Sequence, residues 1–368
     1  MALPMDRIQA AQARMQEHGI DALLLLNAGE YRYFIGEERM QQRAIIPAHG
    51  EPVVFVFREE IEEASAALAP AIVRPYGGMG DMMRAINETV RELGLQAGRI
   101  GVEQSLATSL LSVQRFQQGN PGVQIVDSQP AVAPLRMIKS ADELALMRRA
   151  GGIAIVGMEA ALRALREGIT ENEIAAEAEY AMRRAGAEGV ALRSLVNSGP
   201  RSARLHGGVT GRQLAHGELI SIALSPKYEG YCASLTRTVL LGTPTPQQQG
   251  LFDVYLAMQN AVIDAARPGT RVSDLNRVAL RIATAAGFAR HFVPGFSHGI
   301  GLALMETPST TDSPRDASLA LQVGMTVTAG HSLLAVEAIG GVRLEDTGVI
   351  GEEGWQTLTP FPRSLDIR

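Results

Sequence analysis

Apolar positions follow two rhythms along this chain. Over residues 5–18 they recur at helical spacing and stop at Gly19, whereas residues 21–26, apolar from Ala22 onward, read as a buried strand followed by the turn-rich Asn27-Ala28-Gly29. Residues 44–47 and 52–57 flank a His49-Gly50 turn and predict a hairpin; residues 79–93 return to helical spacing, and residues 99–102 to a short strand. Such alternation predicts an α/β domain. Residues 129–134, with prolines at Pro130 and Pro134, predict a linker, which divides the chain into residues 1–131 and 132–368.

The second part repeats itself. Ser140 with Glu143, and Thr170 with Glu173, have the spacing of capping boxes that open two helices, the second stopping near Gly186. Strand-like residues 190–196, 219–224 and 231–241 follow. Helical spacing then recurs over 246–266 and 273–286, and strand patterns over 325–328 and 341–350. Gly168, Ile174 and Gly186 map onto Gly269, Leu275 and Gly287 at one constant offset. Two helix-helix-strand-strand units predict a duplicated α+β domain with pseudo-twofold symmetry. A site between its halves is expected, because pockets favour such junctions.

Composition narrows the class without naming a chemistry. The 368 residues are 46% hydrophobic and 20% charged, as in an ordinary globular protein large enough for two domains. A net charge of -5 offers no basic footprint for nucleic acid. The apolar run at residues 22–26 is too short to span a membrane, and the start lacks a secretory layout. Cys232 is the only cysteine, so no internal disulfide forms and a cytoplasmic location is expected.

Several blocks stand in one order: Leu205-His206-Gly207-Gly208, Thr236-Arg237-Thr238, Ser297-His298-Gly299-Ile300-Gly301-Leu302 and Gly341-Val342-Arg343-Leu344-Glu345-Asp346. Together they resemble the pita-bread family of creatinase, prolidase and methionine aminopeptidase, over the whole chain. The resemblance implies a creatinase-like N-terminal domain, a pita-bread C-terminal domain and a homodimer. It also places the two-metal ligands of the family's peptidases on Ala223, Ser234, His298, Gly330 and Glu345. Only His298 and Glu345 can still ligate, and a dinuclear site needs bridging carboxylates. The expectation is therefore no metal and no cofactor, in the manner of creatinase. A mononuclear His298, His331 and Glu345 site is the weaker alternative.

On this reading the substrate is a small polar amide, amidine or guanidino compound whose C–N bond is hydrolysed without metal. His206 matches creatinase's catalytic histidine and would act as general base and acid. His298 would polarise the reacting group, and Glu345 would orient His298 or bind a substrate cation. His331, Tyr228, Tyr231, Arg343, Glu306 and Arg39 are the candidate substrate-binding residues, with Arg39 and Arg43 as a carboxylate clamp from the N-terminal domain. Arg237 and Cys232 read as structural. The rival expectation is an inactive scaffold that kept the fold. A minor one is Xaa-Pro peptidase-like or lyase activity with an atypical one-metal site.

Overall fold

A computed structural model describes residues 3–105, 107–309 and 316–366. It divides into two compact units, Met1–Arg136 and Met137–Arg368.

The first unit is an α/β layer built on one six-stranded sheet. Its strands are β1 (Ala22–Leu25), β2 (Ala44–Pro47), β3 (Val53–Phe57), β4 (Ile72–Tyr76), β5 (Arg99–Val102) and β6 (Gln124–Asp127), in the order β4-β3-β2-β1-β5-β6. The expected hairpin is β2 against β3, antiparallel, with Ile45 opposite Val53. Leu24, Ile45, Val53, Phe55 and Ile100 meet Met82, Ile86 and Val90 of the helix Met79–Glu92 in one apolar core. Burying that face is what holds a helix of this length in place.

Two local expectations are corrected. The turn read at Asn27 opens a helix, Ala28–Ile35, because the Asn27 side chain accepts from the Glu30 backbone N–H at 2.9 Å. The expected linker is the helix Gln129–Met137, which tolerates Pro130 in its first turn, where no intrahelical donor is needed.

The second unit runs twice through a helix pair and an antiparallel sheet. Helices Ala141–Ala164 and Glu171–Arg184 open on the predicted capping boxes at Ser140 and Thr170. They cover β7 (Gly189–Ser198), β8 (Leu219–Tyr228) and the two-residue β9 (Tyr231–Cys232), followed by β10 (Leu235–Leu240). Helices Pro246–Ala265 and Val272–Ala285 cover a second sheet, which contains β11 (His298–Gly299), β12 (Glu306–Ser309) and β13 (Thr326–Ala329). A separate hairpin of β14 (Leu334–Val336) and β15 (Gly340–Val342) precedes β16 (Asp346–Gly351) and β17 (Gly354–Thr357), which complete that sheet.

Two predicted continuous strands are each broken in the middle. The 231–241 strand breaks at Ala233-Ser234, and the 341–350 strand breaks at Arg343-Leu344-Glu345. At both breaks the chain reaches across to the other half of the duplication. Thr236 and Glu345 exchange backbone hydrogen bonds at 3.0 Å, and the Ser234 N–H donates to Thr347 Oγ1 at 2.8 Å. The seam between the halves therefore carries Arg343 and Glu345. Arg237 stitches it: its fully buried guanidinium pairs with Asp346 at 2.7 Å and donates to the Glu345, Phe361 and Pro362 carbonyls.

Candidate active site

His298, His331, Arg343 and Glu345 come together on this seam. His298 lies in β11, His331 follows β13, and Arg343 and Glu345 occupy the break before β16. His298 Nε2 is 3.7 Å, and His331 Nδ1 3.2 Å, from Glu345 Oε1. The two imidazoles stand edge to face, with centroids 4.4 Å apart. Arg343 Nη2 donates to the other carboxylate oxygen, Oε2, at 2.6 Å and lies 2.9 Å from His331 Nδ1. Thr236 Oγ1 also donates to Oε2, at 3.2 Å.

Hydrogen bonding fixes the His298 tautomer. Its Nδ1 is 2.8 Å from the Gly299 carbonyl, which can only accept, so Nδ1 carries the proton and Nε2 a lone pair. Burial, with the neighbouring His331, pushes the His298 pKa down to about 3 against the pull of Glu345, so the ring is neutral near pH 7. That buried Nε2 has no hydrogen-bond partner. The 3.7 Å contact with Glu345 is thus a neutral ring facing a carboxylate, not an ion pair. Burial alone would raise the Glu345 pKa, but Arg343 first and His331 second hold it well below the usual carboxylate range.

The surrounding elements hold this geometry. Tyr255 and Gln259, one turn apart on the helix Pro246–Ala265, brace the 329–332 turn. Tyr255 Oη lies 2.7 Å from the Gly330 carbonyl, and Gln259 donates to the Ala329 carbonyl and to Asp346, both at 3.0 Å. Neither residue stood out in the sequence. The available signal was a glutamine on an otherwise apolar buried face, a polar group that must find a partner.

His206 is exposed on a largely half-buried loop whose ends are tied to the fully buried Glu171. The Glu171 carboxylate accepts from Ser198 N and Oγ (both 2.9 Å), Arg201 Nε (3.1 Å), and Thr210 N and Oγ1 (3.1 and 2.7 Å). Partial desolvation, then the charges of Arg343 and His331, lower the His206 pKa below its ordinary value.

The remaining candidates are engaged elsewhere. Tyr231 Oη hydrogen-bonds Glu143 at 2.7 Å, and Tyr228 lies under the Arg149 guanidinium, so both are packing residues rather than part of the cluster. Glu306 is ion-paired with Lys139 at 2.6 Å. Arg39 belongs to the first unit, where Glu37, Glu60 and Glu63 hold its guanidinium, and Arg43 is turned to the Gln42 and Leu26 carbonyls. The Cys232 thiol is pushed up to about 12 by burial, which leaves it inert as a nucleophile.

The five ligand positions implied by the family resemblance do not fit two ions. Ala223 offers no donor, and Ser234 presents a hydroxyl 3.4 Å from Ser225 Oγ. Gly330 has φ +107°, and a Cβ there would lie 1.7 Å from the Leu344 carbonyl oxygen. No side chain fits at 330 on this backbone. A single ion does fit the donors present. One ligand atom each of His298, His331 and Glu345 lies within 4.8 Å of the other two, the group among the described residues able to hold a metal. Ligands at about 2.0–2.2 Å from one ion stand roughly 3–3.5 Å apart, close to the 3.7 and 3.2 Å separations of the two rings from Glu345. The two-His-one-carboxylate set is a transition-metal donor set.

Fold and site together define a pita-bread hydrolase scaffold with an altered centre. The sequence pattern of metallopeptidase family M24 matches residues 145–352, and that of the Creatinase/Prolidase N-terminal domain matches residues 7–138; the chain belongs to the M24 family. It is 29% identical over 360 residues to a Xaa-Pro dipeptidase of Pyrococcus furiosus, covering 98% of this chain and 99% of that one. The structure of a Xaa-Pro dipeptidase from Bacillus anthracis superposes with a TM-score of 0.88 at 26% identity, covering 98% of this chain and 99% of that one. The prolidase from Pyrococcus horikoshii OT3 gives 0.87 at 26% identity, covering 98% and 100%.

These relatives overturn the expected metal-independent hydrolysis of a non-peptide C–N bond. Full-length similarity runs to dipeptidases, which cleave peptide bonds. The expectation took the loss of three carboxylate positions as the loss of all metal chemistry. It gave too little weight to His331, which supplies a donor one residue beyond Gly330.

Proposed function

We propose that this chain hydrolyses small peptides of the Xaa-Pro dipeptide type at a one-ion centre formed by His298, His331 and Glu345. One observation carries the reading: the buried, unpartnered lone pair of His298 Nε2, 3.7 Å from a carboxylate oxygen held ionised. A neutral nitrogen and an anion that converge without a donor between them ask for a cation.

A bound ion supplies Lewis acidity and lowers the pKa of a coordinated water. The protein's own groups do the rest. The Nδ1–H bond to the Gly299 carbonyl keeps the His298 lone pair aimed at Glu345. Arg343 and Thr236 occupy Oε2 and leave Oε1 to face both rings. His206, exposed on its tethered loop, carries a proton to the leaving nitrogen. Its lowered pKa keeps the ring neutral and able to accept that proton at slightly acidic pH.

The test is elemental analysis of untagged protein alongside hydrolysis of a panel of Xaa-Pro dipeptides with Zn, Mn, Co or Fe added. We expect one ion per chain and activity that both disappear in His298→Ala. Protein that takes up no ion and cleaves no dipeptide under any of these conditions would sink the reading. A homodimer, which the family resemblance implies, and a cytoplasmic location, consistent with one buried cysteine, belong to the same proposal. Sedimentation of the purified chain checks the first.

A further inference from the structure

The only carboxylate in the candidate centre already holds a cation. Arg343 Nη2 lies 2.6 Å from Glu345 Oε2 and 2.9 Å from His331 Nδ1, while His331 Nδ1 is also 3.2 Å from Glu345 Oε1. One ring nitrogen cannot serve both neighbours. Protonated, it donates to Glu345 and opposes the Arg343 N–H. Unprotonated, it accepts from Arg343 and turns a lone pair on Glu345. A metal ion needs that same lone pair. Arg343 and an ion are therefore alternatives at His331 Nδ1.

Charge sharpens the competition. With Ala223, Ser234 and Gly330 at the other ligand positions, Glu345 is the one anion the centre retains, and the guanidinium already neutralises it. A divalent ion entering beside Arg343 would bring positive charge that this neutral pair leaves uncompensated in a buried site. The arginine is anchored at its root and underbonded at its head. Its backbone N–H donates to Thr238 Oγ1 and its carbonyl accepts from the same hydroxyl, both at 2.9 Å, whereas its buried Nε has no partner. Nothing on the Nε side secures the head in its present position.

We propose that Arg343 is a resident cation that competes with metal for His331 Nδ1 and for the Glu345 charge, and so sets the metal affinity of the centre. The proposal rests on the one-ion reading above. It implies a centre that gains affinity for the ion when the arginine is removed.

The experiment titrates chelator-stripped, full-length protein with Zn2+ and with Mn2+ by calorimetry, for wild type, Arg343→Gln and Arg343→Lys. Thermal melts with and without ion verify folding and give a second readout. We expect Arg343→Gln to bind one ion per chain about 10-fold more tightly than wild type or better, with a larger ion-induced rise in Tm, because a charge-assisted hydrogen bond no longer has to be broken. Arg343→Lys, which keeps the charge, should stay near wild type. If wild type and Arg343→Gln bind one ion equally well, or the variant binds less, the competition is overturned and the one-ion reading stands. Equal gains in Arg343→Gln and Arg343→Lys also overturn it, since resident charge is then not the cause. If no form binds an ion while all three melt as folded proteins, the one-ion reading falls and this proposal falls with it.

Discussion

At Gly330 the backbone φ of +107° and the Leu344 carbonyl 1.7 Å from a would-be Cβ leave no route back to the family's ligand set by one substitution. Gly330→Ala combines a conformation that L-residues rarely adopt with a direct backbone clash, and should cost about 2 kcal/mol or more. Gly330→Glu should be at least as destabilising and should add no second ion; chemical denaturation with elemental analysis of the soluble fraction checks both. A folded Gly330→Glu carrying two ions would show that the seam is far more pliable than its packing suggests. His206 gives a pH prediction at the same scale. Its pKa lies below the ordinary value, so the neutral ring persists as pH falls and is lost only on passing below about 6.5. The acid limb of the kcat/KM profile should therefore lie below pH ~6.5 and vanish in His206→Asn, leaving a lower, flatter curve. An unchanged acid limb in that variant would assign the titration to another group.

The element that presents His206 depends on a residue one helix away. Glu171 opens the helix Glu171–Arg184, yet its carboxylate binds both ends of the His206 loop, at Ser198 and Arg201 on one side and Thr210 on the other. Glu171→Gln removes the buried charge that satisfies Arg201 and should cost about 3 kcal/mol. Because the tether acts on the loop and not on the metal donors, dipeptide turnover should fall roughly 10-fold with metal content unchanged. Loss of metal in the variant would mean that the loop supports the centre itself. The helix that Glu171 begins was legible in the sequence through Thr170 and Glu173, whose reciprocal bonds are local and readable from spacing alone. The tether was not, since its partners lie 27 to 39 residues away. The broken strands at Ser234 and Arg343–Glu345 failed for the same reason. Their apolar pattern says strand, and only the pairing of one half with the other interrupts it.

Across the whole molecule, what could be read in advance follows range of interaction. The duplication was visible because Gly186 and Gly287 each follow a helix C-cap at positive φ, and Gly168 and Gly269 each take positive φ in the connection between the two helices of a pair, demands met locally. The pairing of His298 and Glu345 was implied by resemblance, but the approach of His331 and Arg343 to that pair depends on the seam and could not be read from spacing. A second buried group, equally silent in the sequence, governs how stability responds to pH. Glu30 is almost fully buried in the first unit, where Ser128 Oγ lies 3.0 Å from its carboxyl and Asn27 bridges it to Glu103. Burial first, and Glu103 second, raise its pKa from 4.5 to about 8, against the weaker pull of Arg136. The folded state thus binds this proton more tightly than the unfolded chain does. Its contribution to stability is complete below about pH 4.5, declines as pH rises, and is lost on passing through about pH 8. Thermal melts between pH 5 and 9 should show the first unit's transition falling with pH in the wild type. Glu30→Gln keeps the shape and a hydrogen-bonding amide while removing the titration, so its transition should vary less over that range and lie above wild type at the alkaline end. An identical slope in the two proteins would mean that Glu30 is ionised in the folded state and that Arg136 outweighs the effect of burial.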